Sequence, residues 1–522
     1  MNSSSSRRRV VFIGIDSASP VLLEQWMDDG TLPHLAKLRR RSAYSRLDST
    51  ADWLVSSVWP SFATGLPPND TGVYHYLQWR SDEMRIARLE PKWMAGEPFW
   101  RDLDRKGLRI ACIDIPYTYA PQHFNGIEMS GWATHDLVFP PFTQPPQLHK
   151  WIVENFGRSA HRGSEAMHAE MYEPLPLGEH LHLAEQLIAT AKRASQLSIA
   201  LYQREKWDLF ITVFGAAHRA GHLMFGPGSL SGDVTPDDAK QLEDALHSVY
   251  IACDEAVGQV LEKLDDETIV MVGSLHGMGP NHSRTDILPT MLARVLAGDT
   301  QAVTGQDKIG LLKRLRKMVP ARWRNTIKSR LPVALQDRLS MLWRVGKVDW
   351  STTQAVSVTA DVSGYIRINL KGREAQGTVE PGEEYEALCR IIEEGLPTFA
   401  DTETGEPVVQ QVVRREAIFP EGERLAWLPD LIVKWSDSPC YKHRKVVSPR
   451  FGEIDWPTPG KNPNGRSGNH RPHGFLFAAG PGINGDALAG GAHLLDLPPT
   501  FYHLLGEQVP PHMRGRALPI GD

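Results

Sequence analysis

The chain has 522 residues, of which 41% are hydrophobic and 23% are charged, and its formal net charge is -5. A chain of this length and composition buries a large core, which excludes a disordered protein. The mild negative charge argues against a surface built for nucleic acid, so no nucleic-acid partner is expected.

The N-terminal residues and the cysteines bear on cellular location. The segment MNSSSSRRR is polar and basic and leads directly into VVFIGID, without the apolar stretch of a signal peptide. No apolar run approaches the roughly 18 residues that a membrane span needs. The four cysteines are far apart and form no CxxC pair, which argues against a disulfide scaffold. We therefore expect a cytoplasmic protein with reduced thiols.

Strand-like apolar runs alternate with helical patterns through the first half of the chain and again in its last third. The strand-like runs are VVFIGID, RIACIDI, DLFITVF, ETIVMVG, GYIRINL, PDLIVKW and GFLFAAG. The helical patterns are PVLLEQWMDDG, PHLAKLRRR, residues near 182–205 and 238–264, EYEALCRIIEEGL and the closing PPTFYHLLG. This alternation predicts an α/β fold in which a mostly parallel sheet is covered by helices on both faces.

The segment 299–350 departs from this pattern. It contains KIGLLKRLRKM, ARWRNTIKSRL and LQDRLSMLWRV, in which basic residues outnumber acidic ones and apolar residues recur at helical spacing. We interpret it as a basic helical insert or cap between residues 1–298 and 351–522, which form two parts of one α/β core. Either its basic face is solvated, or it contacts anionic lipid at a membrane surface or a phosphorylated substrate.

Histidines lie beside the polar ends of the apolar runs. His218 and His222 occur in FGAAHRAGH, His276 in VGSLHGMGP and His470 in GNHRPHGF, while Asp16 ends VVFIGID. Open α/β sheets collect ligands at the carboxyl ends of their strands. Two histidines four residues apart share a helix face and can hold one ion. A bare HxxxH is weak support, but the combined set favours a metal site.

Two serines precede a short helix-like run in LVSSVWPSFATG. Ser57 fits the N-cap position because Pro60 lacks an N–H and then falls within the first turn, where no intrahelical acceptor exists. A serine there faces the positive helix end, and a nearby metal lowers its pKa for attack on phosphorus. Ser57 is the first candidate for the nucleophile and Ser56 the second. The simpler interpretation is an ordinary capping serine.

The motifs together resemble the alkaline phosphatase superfamily, in particular its type I phosphodiesterase and nucleotide pyrophosphatase branch. The segments that carry the resemblance are VVFIGIDSASPVLLEQWMDDGTLPHLAKL, WPSFATGLPPNDTG, HRAGH, SLHGMGPN, GYIRINLKGREAQGTVEPGEEYE, PDLIVKW, NHRPHGFLFAAGPGI and LLDLPPTFYHLLG. They occur in the family's order and span the chain apart from the basic insert. The resemblance implies a three-layer α/β/α sandwich, two adjacent divalent metals, usually zinc, and a serine or threonine nucleophile.

The resemblance also assigns roles to single residues. Asp16 stands where the family has its first aspartate ligand, and His222, His276 and His470 stand where it has its histidine ligands. Ser57 or Ser56 stands in the nucleophile region. The implied activity is hydrolysis of a small phosphorylated substrate.

Three positions depart from the family pattern. His218 replaces an aspartate ligand, Leu275 replaces the aspartate before His276, and the nucleophile register falls on Val55. His218, His222 and His470 still provide three imidazoles for one zinc ion, with manganese as the alternative. The second metal site keeps Asp16, His276 and a serine, and is expected to bind more weakly because it lacks a carboxylate.

The leading hypothesis is a metal-dependent phosphoester hydrolase with a serine nucleophile. Two alternatives follow from the same residues: a metal-binding or phosphate-binding protein with little hydrolysis, and a transferase or mutase that moves a phosphorylated head group. Arginines beside the predicted ligands, among them Arg219, Arg466 and Arg471, are further candidates to clamp an oxyanion.

Overall fold

The computed structural model describes residues 8–134, 137–158, 174–298, 348–358, 360–438, 444–457, 459–460, 462 and 465–520. Residues 299–347 of the basic insert lie outside this range, so its helices and its membrane-surface contact stay predictions. The boundaries of the insert and of the two core segments also stay predictions.

Strands and helices alternate as the apolar patterns indicate. The strands are β1 (Arg9–Ile15), β2 (Ala43–Asp48), β3 (Leu77–Arg80), β4 (Arg85–Arg88), β5 (Ile110–Ile113), β6 (Ile127–Ser130), β7 (Phe142–Gln144), β8 (Leu209–Phe214), β9 (Thr268–Ser274), β10 (Gly277–Pro280), β11 (Ala355–Val358), β12 (Gly364–Ile368), β13 (Ala400–Asp401), β14 (Val409–Arg414), β15 (Leu431–Trp435), β16 (Lys445–Ser448), β17 (Gly452–Asp455), β18 (Gly468–Arg471), β19 (Gly474–Ala479) and β20 (Ala492–His493). The α-helices are Pro20–Asp28, Pro33–Arg39, Val58–Thr64, Pro68–Thr71, Phe99–Arg105, Leu148–Phe156, Leu177–Tyr202, Ala216–Met224, Pro236–Leu261, Leu288–Ala297, Glu383–Gly395, Arg415–Ile418 and Leu497–Leu504.

A nine-stranded sheet forms the centre of the described chain, in the order β20, β2, β19, β9, β1, β8, β5, β6, β7. The five strands β9, β1, β8, β5 and β6 run parallel to one another. Strand β19 runs antiparallel to both β9 and β2, and β7 runs antiparallel to β6. The predicted mostly parallel central sheet is confirmed.

The two faces of this sheet pack against different layers of helices. Along β1, Val11 and Ile13 belong to an apolar cluster with the helices Leu177–Tyr202 and Pro236–Leu261. Phe12 belongs to a separate cluster with residues of the helix Leu497–Leu504. Each fully buried aliphatic or aromatic side chain of this kind contributes about 1.5–3 kcal/mol to stability. The predicted three-layer α/β/α arrangement is confirmed.

A second, antiparallel sheet has the order β11, β12, β15, β14. Its strands include GYIRINL and PDLIVKW, which the alternation of patterns predicted to continue the parallel sheet; that prediction was wrong. The strands pack with the helices Leu288–Ala297 and Glu383–Gly395 in an apolar cluster of their own. Only β19 of the late apolar runs joins the central sheet, because an apolar strand pattern does not specify its pairing partner.

The structure bears on two expectations from the sequence, namely unpaired cysteines and the lack of a membrane-spanning segment. Cys112, Cys253 and Cys389 are buried and unpaired. In the part of the chain that the structure describes, no helix combines the length and apolar character needed to span a bilayer. The cytoplasmic location stays a prediction.

Candidate metal centre and active site

Strand order brings the predicted ligands to one edge of the central sheet. β1 lies between β8 and β9 and is parallel to both, so Asp16, the helix Ala216–Met224 and His276 follow neighbouring strands. His470 lies on β18, just before β19. Because β19 runs antiparallel to β9, its beginning lies at the edge where β9 ends. All five predicted metal ligands are therefore neighbours.

Three imidazoles form a compact group. His218 and His222 occupy one face of the helix Ala216–Met224, and their Nε2 atoms are 3.1 Å apart. With His470 they offer one ligand nitrogen each, all within 4.8 Å of one another. The three residues are buried, with 5%, 2% and 6% exposure respectively, so water competes poorly for these nitrogens.

The hydrogen bonds of this group determine where its protons lie. His218 Nδ1 is 2.6 Å from Asp16 Oδ2, which can only accept when ionised, and His222 Nδ1 is 3.1 Å from the carbonyl oxygen of Gly468. Each Nδ1 therefore carries a proton, which leaves the Nε2 atom of each ring as the candidate metal ligand. The two Nε2 atoms face each other 3.1 Å apart, close enough to bind one cation together. The donor set thus fits a metal ion.

Burial keeps most of these groups in the metal-binding form. Desolvation, followed by the charge of Arg466, holds the pKa of His222 well below its usual value. Desolvation and the neighbouring imidazoles do the same to His470, and desolvation lowers the pKa of His276 to about 4. Burial raises the pKa of Asp16, but His218 outweighs it and the net pKa is lowered. At neutral pH, His222, His276 and His470 are therefore neutral and Asp16 is ionised, as metal binding requires.

The second predicted metal site is less regular. His276 Nε2 lies 3.1 Å from His470 Nδ1, while the buried His276 Nδ1 has no hydrogen-bond partner among the described residues. Ser17, which the sequence did not single out, places its Oγ 3.1 Å from His470 Nδ1 and 3.2 Å from the carbonyl oxygen of Gly277. Leu275 is 1% exposed and belongs to an apolar cluster.

The two candidate serines face different surroundings. The helix Val58–Thr64 begins one residue after Ser57, so Ser57 occupies the N-cap position and Pro60 falls in the first turn, as predicted. The expected side-chain cap is absent: Ser57 Oγ donates to the carbonyl oxygen of Leu54 at 2.5 Å and lies 2.7 Å from Thr50 Oγ1. Ser57 is fully buried, whereas Ser56 lines the cavity in front of the imidazoles.

That cavity joins the imidazoles to residues that the motifs did not indicate. It is lined by Asp16, Val55, Ser56, Trp59, Tyr76, Arg88, Pro116, Tyr117, Leu137, Val138, His218, His276, Asp361, Arg466 and His470. Of the arginines named as oxyanion clamps, Arg466 reaches it, and its Nη1 is 2.8 Å from Asp361 Oδ1. Trp59 was not predicted either; its Nε1 donates to Asp16 Oδ1 at 3.1 Å. No spacing or periodicity in the sequence distinguishes these residues.

The sequence matches the type I phosphodiesterase / nucleotide pyrophosphatase family over residues 10–438. The chain belongs to this family. The resemblance to the alkaline phosphatase superfamily is confirmed, and with it the enzyme class, a phosphoric ester hydrolase. Dependence on a divalent metal is typical of this phosphodiesterase family, and the grouped imidazoles supply ligands for one. No curated protein matches the chain in sequence.

Solved structures are similar to this chain at low sequence identity. Phosphonoacetate hydrolase from Sinorhizobium meliloti 1021, in complex with phosphonoformate, is 13% identical, with a TM-score of 0.50 and coverage of 96% of this chain and 95% of that chain. Murine ectonucleotide pyrophosphatase / phosphodiesterase 5, in complex with AMP, is 11% identical, with a TM-score of 0.44 and coverage of 97% and 96%. The human protein is also 11% identical, with a TM-score of 0.45 and coverage of 97% of both chains.

Proposed function

We propose that this phosphodiesterase-family enzyme hydrolyses small phosphorylated substrates with Ser56 as nucleophile and a divalent metal held by His218, His222 and His470. The observation that carries the proposal is the pair of facing Nε2 atoms of His218 and His222, grouped with His470, beside a cavity that Ser56 lines. Ser56 is preferred over Ser57 because the Ser57 hydroxyl is committed to Leu54 inside the core.

Zinc is the metal that this donor set favours. Three neutral imidazoles without a thiolate are typical of a zinc site with an open fourth position, while manganese prefers more oxygen ligands. A divalent metal bound there would polarise a phosphoryl oxygen and lower the pKa of a nearby hydroxyl.

The surrounding residues orient the imidazoles. Asp16 accepts hydrogen bonds from His218 Nδ1 and from Trp59 Nε1, while the carbonyl oxygen of Gly468 accepts one from His222 Nδ1. Such outer partners fix the tautomer and ring orientation of metal-binding histidines. Asp16 and His276 as direct ligands of a second metal stay a prediction.

The reaction uses the chain's own nucleophile. Ser56 Oγ forms a bond to phosphorus while the ester bond to the leaving alcohol breaks, and water then cleaves the phosphoserine and restores the hydroxyl. Arg466 stands in the same cavity and contributes positive charge, although Asp361 partly neutralises it.

The test compares Ser56→Ala, Ser57→Ala and His222→Ala on bis(4-nitrophenyl) phosphate and 4-nitrophenyl phosphate, with zinc content measured by elemental analysis. We expect Ser56→Ala to lose turnover and keep its zinc, His222→Ala to lose both, and Ser57→Ala to keep both. Mass spectrometry of the wild-type enzyme quenched during turnover should detect a phosphoryl adduct on Ser56.

Ser57→Ala is the matched control, since it removes the neighbouring hydroxyl from the core rather than from the cavity. Metal-dependent turnover that survives both Ser56→Ala and His222→Ala would sink the proposal. Tightly bound zinc without hydrolysis of either ester would favour the metal-binding alternative.

A further inference from the structure

The proposed reaction leaves one charged residue of the cavity unused. Arg88 ends β4, the second strand of a hairpin with β3, and lines the cavity that also contains Ser56 and His218. Its guanidinium carbon lies 5.5 Å from the centre of the Tyr76 ring, which the same hairpin carries into the cavity. The stacking fixes the direction of the side chain without neutralising its charge.

Arg88 differs from the other arginine of this cavity. Arg466 forms an ion pair with Asp361 at 2.8 Å. Among the residues that the structure describes, no carboxylate lies within ion-pair distance of Arg88, and its buried Nε has no hydrogen-bond partner. A half-buried guanidinium is unfavourable when no anion compensates it.

The remaining lining of this part of the cavity is largely apolar. Pro116, Tyr117, Leu137 and Val138 lie in the same cavity as Arg88. An apolar or aromatic body fits such surroundings, and a guanidinium at its edge matches the geometry of a carboxylate or phosphate.

We infer that Arg88 binds a second oxyanion of the substrate, separate from the phosphoryl group that reacts beside the imidazoles. The inference rests on the proposed function for the position of that reacting group. The preferred substrates are then phosphoesters whose organic part carries a further carboxylate or phosphate. Arg88 acts as a specificity-determining residue.

Binding of unreactive probes tests the inference without relying on turnover. The probes are benzylphosphonates that carry at the para position a carboxylate, a phosphonomethyl group or a neutral carbamoyl group, titrated into the purified full-length chain by calorimetry. We expect the wild-type chain to bind one or both charged probes about 10- to 100-fold more tightly than the neutral probe, as a charge-assisted hydrogen bond warrants. Whichever charged probe binds more tightly identifies the second anion as a carboxylate or a phosphate.

Variants assign the preference to Arg88. Arg88→Gln should reduce the ratio of charged to neutral binding to about 1, while Arg88→Glu should reverse it. Arg85→Gln is the matched control: Arg85 lies on the same strand, is 41% exposed and pairs with Glu83. It should keep the wild-type ratio. Thermal unfolding of each variant checks that the hairpin still folds.

Three results would overturn the inference. The first is equal binding of the charged and neutral probes by the wild-type chain. The second is an Arg88→Gln variant that keeps the preference for charged probes. The third is an Arg88→Gln variant that binds all three probes more weakly by the same factor, which would place Arg88 on the phosphonate itself. Absence of ester turnover with the binding preference intact would contradict the proposed function alone.

Discussion

The cavity has two walls of different origin. The histidine wall consists of Asp16, His218, His276 and His470, which line the cavity near ends of the central strands, together with His222, which is grouped with His218 and His470 but does not line the cavity. The loop wall consists of Tyr76, Arg88, Pro116, Tyr117, Leu137 and Val138, which come from the β3–β4 hairpin and from segments around β5, β6 and β7.

The two walls differ in how strictly hydrogen bonds fix the orientation of their side chains. Asp16 accepts a hydrogen bond from His218, the carbonyl oxygen of Gly468 accepts one from His222, and His276 Nε2 lies 3.1 Å from His470 Nδ1, so each ring has a fixed orientation. The loop wall consists mainly of aromatic and apolar side chains around the guanidinium of Arg88. From this comparison we expect a change in the histidine wall to remove the reaction, and a change in the loop wall to alter which substrate binds.

The largest effect is expected at the centre of the histidine wall. His222→Ala removes one of three grouped imidazoles and leaves the Nε2 of His218 without its counterpart. We expect kcat/KM to fall by more than roughly 100-fold, the upper end of what loss of an outer partner of a metal site costs. Steady-state kinetics and zinc analysis measure both losses.

His473→Ala is the control for this substitution. His473 lies near His470 in sequence, but its side chain is 53% exposed and pairs with Asp48. Its activity and zinc content should equal those of the wild-type enzyme. Equal losses in both variants would mean that the histidine wall has no special role.

The sequence predicts the histidine wall well because its residues are tied to strand ends. Apolar runs such as VVFIGID and DLFITVF end at a parallel-sheet edge, and parallel strands end at the same edge. That rule brings Asp16, His218 and His276 together without knowledge of any long-range contact. His470 instead precedes β19. Its position at this edge depends on β19 running antiparallel to β9, which no local pattern indicates.

The loop wall could not be predicted, since its residues share no period or motif. Arg88 and Tyr117 reach the cavity through tertiary packing of segments far apart in sequence. The choice between the adjacent serines meets a related limit. Helix-cap arguments locate Ser57 along the chain but do not give the direction of its hydroxyl, which turns to Leu54.

A carboxylate at position 275 tests the boundary of the histidine wall. Leu275 is 1% exposed, packs in an apolar cluster and is not among the cavity-lining residues. We expect Leu275→Asp to lower the free energy of unfolding by about 3–5 kcal/mol, as an uncompensated buried charge does. Added zinc should not restore the loss, because position 275 is not among the residues that line the cavity with the imidazoles.

Urea unfolding with zinc and with a chelator measures this effect, and Leu275→Met serves as the volume-matched control. Met should cost less than about 1.5 kcal/mol. If zinc restored the free energy of unfolding of Leu275→Asp, position 275 would belong to the histidine wall.

Asp114 joins two segments behind the loop wall, the one that follows β5 and the one that follows β6. It follows β5, two residues before Pro116, and its carboxylate accepts from Trp132 N and Ala133 N, both at 2.8 Å, and from Thr134 Oγ1 at 3.0 Å. Burial raises its pKa to about 6, although the backbone N–H groups partly oppose the shift. The folded carboxyl holds its proton more tightly than the unfolded one. Its contribution to stability is therefore complete below the unfolded pKa near 3.8 and is lost as the pH rises to about 6.

Asp114→Asn removes this pH-dependent contribution. We expect the difference in free energy of unfolding between wild type and variant to fall by roughly 2–3 kcal/mol from pH 4 to pH 7. Urea titrations at intervals across that range measure it. A difference that stays constant with pH would show that the Asp114 carboxyl has an ordinary pKa in the folded chain.

The smallest effect is expected where Trp59 supports the histidine wall. Its Nε1 donates to Asp16 Oδ1 at 3.1 Å, and Trp59→Phe removes that donor while keeping an aromatic ring against Phe62. We expect a loss of about 1.5 kcal/mol in stability and of roughly tenfold in zinc affinity, since Asp16 orients His218. Trp207→Phe is the matched control, because Trp207 Nε1 donates to backbone carbonyls far from the cavity. If both variants lose zinc affinity equally in a competition titration, Trp59 contributes to general packing and not to the orientation of the histidine wall.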